Sequence, residues 1–252
     1  MSPPPRARCH STEPNTREQL EPRIPRKKKK KKKKKNSSLG SILLAVALAA
    51  APGVLSDPTP LQDFCVADLK AATAVDGFPC KAPSTVVDDD FFSDAMVAAP
   101  RTDTNPFGVN STRATVSVFP GLNTLGLSIT RTDLAVGGLN PPHSHPRGSE
   151  LVLVLKGEVM VGFTSATNRL FTKVVKENEL YVVPRGLQHY QLNVGTVEAV
   201  FMAMFDAQSP GLVTPTLALF ATEPAMPMEV LTKTFLMGED DVTAMKSKFA
   251  GF

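Results

Sequence analysis

Short apolar or alternating runs, separated by Gly, Pro and Asn, dominate the chain between residues 114 and 206. Runs of this length with these punctuating residues are typical of the β-strands of a sandwich or barrel. The runs are TVSVF (115–119), TLGLSITRTDL (124–134), ELVLVL (150–155), EVMVGF (158–163), LFTKVV (170–175), ELYVVP (179–184), HYQLNV (189–194) and VEAVFMAMF (197–205). The pattern predicts an all-β barrel at about 114–206.

The pattern loosens after Pro210. Segments near 212–220 and 239–249 have helical character, and the second has acidic residues at its start and lysines towards its end, which suits the helix dipole. The sequence therefore predicts a C-terminal α-helical extension at about 210–250. Because no internal repeat or second domain is evident, we expect one domain over 57–252.

A basic and then apolar leader precedes this domain. Residues 1–36 end in nine consecutive lysines at 27–35, and an apolar stretch follows from Leu39 to Ala51. These thirteen residues match the hydrophobic region of a secretory signal and are too short to span a bilayer. We expect residues 1–56 to be removed by cleavage near Ser56, which leaves a secreted protein without a membrane anchor. The lysine run also fits a nuclear address or a nucleic-acid patch, and residues 1–36 also fit an over-extended gene model.

The charge of the chain changes sign at the boundary between the leader and the domain, near residue 56. The whole chain has 28 Lys and Arg against 24 Asp and Glu. Residues 1–56 hold 14 of the basic and 3 of the acidic residues, so the rest carries 14 basic and 21 acidic residues, a formal net charge of −7. The basic character thus belongs to the leader, and the mature domain has no footprint for nucleic acid.

The mature chain contains three histidines, His143, His145 and His189. The first two project to the same face of an extended segment, because side chains alternate with a period of two and the flanking prolines restrict the backbone. Glu150 begins the next predicted strand, and His189 begins a later one. Three imidazoles and a carboxylate suit a divalent transition ion, with open positions left for water or substrate. The spacing alone leaves zinc, iron, nickel and manganese open.

Two cysteines and one glycosylation motif fit an exported protein. Cys65 and Cys80 have 14 residues between them and should pair in an oxidising compartment, with two unpaired thiols as the alternative. Their spacing lacks the close pairs of a zinc motif. The NST motif at Asn110 is a candidate N-glycan site.

The histidine segments resemble the two sequence boxes of the germin form of the cupins. GLNPPHSHPR (138–147), followed by Glu150 and Gly157, resembles the first box, and the segment from Pro184 to Asn193 resembles the second. Upstream, DPTPLQDFCVADL (57–69), GFPCK (77–81) and FPGLNTLGLSITR (119–131) also resemble plant germin-like proteins. The resemblance therefore covers essentially all of 57–252.

This resemblance implies a cupin jelly-roll barrel that binds manganese through three histidines and one glutamate. It also implies a Cys65–Cys80 disulfide, a homohexamer built as a trimer of dimers, and residence in the cell wall or apoplast. In such hexamers the C-terminal helices clasp the neighbouring subunit. The implied metal ligands are His143, His145, Glu150 and His189.

Two activities recur among such proteins, oxalate oxidation and superoxide dismutation. Oxalate-oxidising germins place two asparagines near the metal. Asn140 matches the first, but Thr130, directly before Arg131, stands at the position of the second. A threonine hydroxyl cannot offer the two-ended hydrogen bonding of an amide. We therefore expect a small anion such as superoxide as substrate, with a defence or stress role, and a non-catalytic cell-wall, receptor-like or storage protein as the alternative.

Overall fold

Two antiparallel sheets form the barrel within the described part of the chain, which is residues 62–73 and 77–251 of a computed structural model. The leader and its expected cleavage near Ser56 lie outside these residues. The strands are β1 (Val109–Ala114), β2 (Ser128–Leu134), β3 (Leu139–His143), β4 (Glu150–Lys156), β5 (Val159–Thr164), β6 (Leu170–Val175), β7 (Leu180–Val183), β8 (His189–Asn193) and β9 (Ala199–Phe205). One sheet has the order β1-β2-β9-β4-β7, and the other has the order β3-β8-β5-β6.

The apolar core lies between the two sheets. Along β9 every second side chain is buried, which is typical of a strand with one face towards a core. Phe201 of β9 is 1% exposed and packs with valines of both sheets. The predicted all-β jelly-roll fold with a C-terminal helical extension is confirmed. The buried valines of this core are Val152, Val154, Val159, Val161, Val175 and Val183.

The predicted strand at 115–119 is wrong. The backbone N–H groups of Val118 and Phe119 both donate to the carbonyl of Thr115, so the segment closes a turn. The first strand is instead β1, whose sequence VNSTRA has no apolar alternation. Sequence reasoning also missed β3, because its sequence LNPPH contains two prolines.

Three helices follow the barrel: α1 (Pro215–Phe220), α2 (Met228–Phe235) and α3 (Glu239–Phe249). Each contributes one buried side chain, Phe220, Leu231 and Val242, to a small separate core. The sequence predicted α1 and α3 but missed α2, which begins directly after a proline-rich segment. None of the helices in the described ranges has the length and apolar character needed to cross a bilayer.

A disulfide organises the segment in front of the barrel. The Sγ atoms of Cys65 and Cys80 are 2.03 Å apart, which confirms the predicted pair. Ala67 pairs with Cys80 in a β-bridge, and its N–H donates to the carbonyl of Pro120. The amide of Asn123 donates to the sulfur of Cys65 at 3.3 Å. The disulfide therefore lies against the turn that leads into β2.

Removal of the disulfide should destabilise the domain. We expect Cys65→Ala/Cys80→Ala to lose about 3 kcal/mol of unfolding free energy, because a closed loop with ends 15 residues apart no longer restricts the unfolded chain. Urea unfolding at one fixed protein concentration measures the loss. A reducing agent should destabilise the wild type and leave the variant unchanged, whereas equal unfolding midpoints without reductant would contradict this role.

Candidate metal centre

Four side chains from both sheets meet between them. His143 ends β3 and lies directly opposite His189, the first residue of β8. Glu150 begins β4 in the other sheet, and His145 lies in the connection between β3 and β4. Their nitrogen and oxygen donor atoms all lie within 4.8 Å of one another. The structure thus brings together all four residues that the sequence singled out.

The backbone around His143 is shaped by prolines. Pro141 and Pro142 have no N–H to donate, and the register between β3 and β8 shifts just before His143. After this bulge, Ser144 and Val213 exchange two backbone hydrogen bonds of 2.9 Å. The backbone is therefore bent before His143 and held at Ser144 by hydrogen bonds, and this directs the imidazoles of His143 and His145 to the same centre.

Backbone carbonyls orient all three imidazole rings. The Nδ1–H groups of His143 and His189 each donate to the carbonyl two residues earlier, at 2.8 and 2.9 Å. The Nδ1–H of His145 donates to the carbonyl of Gly211 at 2.6 Å. Because a carbonyl can only accept, the hydrogen of each neutral ring is on Nδ1, and Nε2 presents a lone pair to the centre.

Glu150 supplies the charge of the centre and is only 2% exposed. Its Oε2 lies 2.8 Å from Nε2 of His189 and 3.1 Å from Nε2 of His145. Burial alone would raise the pKa of Glu150, but hydrogen bonds from these imidazoles, which require a second ring proton on Nε2, outweigh burial and hold the pKa at about 2. Where the rings are neutral, a bound cation would take the place of that proton. Burial, and then the neighbouring His189, lowers the pKa of His143 to about 3. At neutral pH the carboxylate is ionised and His143 is neutral, which are the forms that bind a metal.

This donor set fits a divalent cation. Three Nε2 lone pairs and a carboxylate oxygen are all acceptors, so they repel one another at this spacing unless something positive lies among them. A metal ion would also balance the buried charge of Glu150, which is costly if left uncompensated. Mixed nitrogen and oxygen donors suit first-row transition ions. These four residues would hold such an ion.

Gln191 is a residue of the centre that sequence reasoning missed. It follows His189 by two positions on β8, so its side chain points to the same face, and it is 0% exposed. Its Nε2 donates to Oε1 of Glu150 at 3.2 Å, and its Oε1 accepts from the amide of Asn140 at 2.7 Å. Asn140 thus orients Gln191, and Gln191 leaves Oε2 of Glu150 facing the imidazoles. The period of two from His189 was the available signal.

A cavity of about 50 Å³ is lined by three residues of the centre, His143, His145 and Glu150. Thr130 and Asn140, the two positions that the sequence assigned to the substrate pocket, both line it. Phe201, Ala203 and Phe205 form an apolar wall. Since a single water needs roughly 10–15 Å³, the cavity has room for a small ligand only.

Two packed antiparallel sheets with three histidines and a glutamate between them define a metal-binding cupin. The Cupin family model matches residues 96–243, a span that contains all the strands described above. Germin-like protein 1-2 of Oryza sativa subsp. japonica is 77% identical over 215 residues, which cover 84% of this chain and 96% of that protein. The chain belongs to the germin-like proteins, a family of plant cupins.

Oxalate oxidases are also similar to this chain. Oxalate oxidase 2 of Hordeum vulgare is 46% identical over 217 residues, which cover 84% of this chain and 96% of that protein. A solved oxalate oxidase in complex with the substrate analogue glycolate is 46% identical, with a TM-score of 0.74, over 78% of this chain and 99% of its own. The likeness therefore extends over the barrel.

Loss of the Gln191 amide should weaken metal binding. We expect Gln191→Leu to raise the dissociation constant for Mn²⁺ about 10- to 100-fold, because Glu150 loses the group that orients it. Titration of the metal-free protein, with free Mn²⁺ followed by electron paramagnetic resonance, measures the constant. Gln62→Leu makes the same change on the surface and should bind like the wild type. An unchanged constant for Gln191→Leu would exclude the positioning role.

Proposed function

We propose that this chain is a secreted germin-like protein that binds manganese and dismutates superoxide. The observation that carries the proposal is the four-residue centre, three of whose side chains line a cavity with room for a small ligand only. Bound manganese would supply electron transfer by alternating between two oxidation states. Two superoxide ions and two protons are consumed, and one O₂ and one H₂O₂ are formed. The proposed ligands are His143, His145, Glu150 and His189.

The residues of the chain orient the centre and receive the anion. Backbone carbonyls hold the imidazole rings, and Gln191 holds the carboxylate of Glu150. The hydroxyl of Thr130 and the second amide hydrogen of Asn140 are donors at the cavity wall. A small anion needs no more than such single contacts, and these donors would be in place before it enters.

Oxalate oxidation is the second candidate, because oxalate oxidases are 46% identical to this chain. Thr130 argues against it. Threonine has one short hydroxyl where the oxalate-oxidising germins carry an asparagine, and it cannot both donate and accept at two separate atoms as an amide does. Asn140 would then be the one side-chain amide of the pair available to hydrogen-bond both carboxylate groups of oxalate. We therefore rank superoxide dismutation first.

A homohexamer in the apoplast or cell wall, built as a trimer of dimers, is part of the proposal. Four apolar side chains on β4 and β7 are 37% to 59% exposed and lie on adjacent strands. Exposed apolar faces of this kind are typical of subunit interfaces. The leader and the disulfide support export, and a defence or stress role rests on the family resemblance. The four side chains are Leu151, Leu155, Leu180 and Val182.

An N-glycan at Asn110 is compatible with the fold. Asn110 is half-buried on β1, which is an edge strand. Its Nδ2 donates to the carbonyl of Arg101 at 2.7 Å. A glycosylated asparagine amide keeps one hydrogen, so this bond can persist beside a sugar. Glycosylation at this position remains a prediction.

The activity of the manganese-loaded protein tests the proposed function. We expect it to dismutate superoxide, and we expect His189→Ala to lose both bound manganese and activity while it still assembles, because one of four ligands is gone. Superoxide decay, metal content and size-exclusion chromatography measure the three properties. Tyr190→Phe alters the next side chain of β8, which points away from the centre, and should retain all three.

Two outcomes would contradict the proposed activity. Manganese-loaded wild type that does not dismutate superoxide would favour the alternative of a non-catalytic cell-wall, receptor-like or storage protein. Superoxide decay that is equally fast with His189→Ala would show that the decay does not arise at this centre.

Thr130 should decide the choice between the two reactions. We expect Thr130→Asn to raise oxalate oxidation at least about 10-fold over the wild type, because an amide restores two-ended hydrogen bonding to the cavity wall. Peroxide release from oxalate measures the gain. Thr172→Asn makes the same change at an exposed position on β6, outside the lining of the cavity, and should give no gain. Efficient oxalate oxidation by the wild type would overturn the ranking.

A further inference from the structure

Arg113 lies at the mouth of the cavity. It is on the edge strand β1 and pairs directly with Thr130 of β2. Residues directly opposite each other on neighbouring strands share a face of the sheet, so the side chain of Arg113 is on the face that holds the metal centre. It lines the cavity together with Thr130, yet its position at the sheet edge leaves it exposed.

A second and larger cavity, of about 180 Å³, adjoins the first. Five residues line both cavities, so the two are neighbours that share a wall. A ligand that passes from the larger to the smaller space therefore moves alongside these side chains. The shared residues are Arg113, Thr130, His145, Phe205 and Leu212.

Arg113 is the one lysine or arginine in either lining, and Glu150 is the one acidic residue. The carboxylate of Glu150 is in contact with the imidazoles of His145 and His189 and is 2% exposed. Within the described part of the chain, the guanidinium of Arg113 has no hydrogen bond or ion pair with another side chain. Arg131 on the next strand is different, since it is bound by Asp133 at 2.8 Å. Arg113 is therefore an unneutralised cation beside the approach to the centre.

The negative net charge of the domain makes the positive charge of Arg113 important for anion approach. Residues 57–252 carry a formal charge of −7, which repels small anions at long range. A cationic side chain at the entrance of a narrow cleft with apolar walls concentrates the local field and raises the concentration of anions there. We propose that Arg113 recruits small anions to the metal cavity by drawing them to its mouth. The inference rests on the proposed function only in taking the ligand to be a small anion.

Binding of azide to the manganese-loaded protein tests this role without turnover. We expect Arg113→Gln to raise the dissociation constant of azide about 3- to 10-fold, and Arg113→Glu to raise it further. Arg113→Lys keeps the charge and should restore most of the binding. Arg169→Gln removes the same charge from an exposed position outside both cavities and should bind azide like the wild type. The change in the manganese electron paramagnetic resonance spectrum gives the constant, with the manganese content of each variant measured alongside.

The dependence of the azide dissociation constant on ionic strength is a second test. The azide constant of the wild type should rise with added salt more steeply than that of Arg113→Gln, because salt screens an exposed charge. Equal constants for the wild type and Arg113→Gln, equal weakening by Arg169→Gln, or no azide binding by any loaded protein would each overturn the inference. Azide binding that depends on Arg113 in a protein without dismutase activity would leave the inference standing and refute only the proposed reaction.

Discussion

A carboxylate buried between two sheets is costly unless positive charge lies beside it, and Glu150 is such a carboxylate. Three imidazoles face it with Nε2, each held by a backbone carbonyl at Nδ1. The bulge before His143 directs that imidazole towards Glu150, and the amide of Gln191 holds the carboxylate in place. One cation at this point balances the charge and satisfies all four acceptors, so the arrangement of these strands is best understood as the frame of a metal site.

Local patterns in the sequence were sufficient for much of the fold and for the ligands. Alternation with a period of two and punctuation by Gly and Pro located seven strands, and the H-x-H pair with Glu150 and His189 located the centre. Two strands were not predicted. β1 consists mostly of polar residues and β3 contains two prolines, so neither has a local strand pattern, and both form through pairing with neighbouring strands. The place of Arg113 depends on its pairing with Thr130, a contact between distant parts of the chain that no local pattern encodes.

The ligand set and the wall of the cavity are separate parts of this barrel. Oxalate oxidases share 46% of the residues of this chain and its fold. The proposed ligands and the carbonyls that orient them belong to the frame, whereas Thr130 and Arg113 lie where a ligand would arrive. Under the proposed function, selectivity between a dicarboxylate and a small monovalent anion depends on the donors at the cavity wall, and Arg113 affects how readily either anion arrives. Function follows from this site rather than from the fold.

Metal analysis of the folded protein, purified from its producing cells without added metal, tests the central claim most directly. If the four side chains form a manganese centre, the protein contains manganese in equimolar amount with the chain, and its electron paramagnetic resonance spectrum shows coupling to histidine nitrogen. Folded protein without metal, or with its centre filled by zinc, would contradict the account.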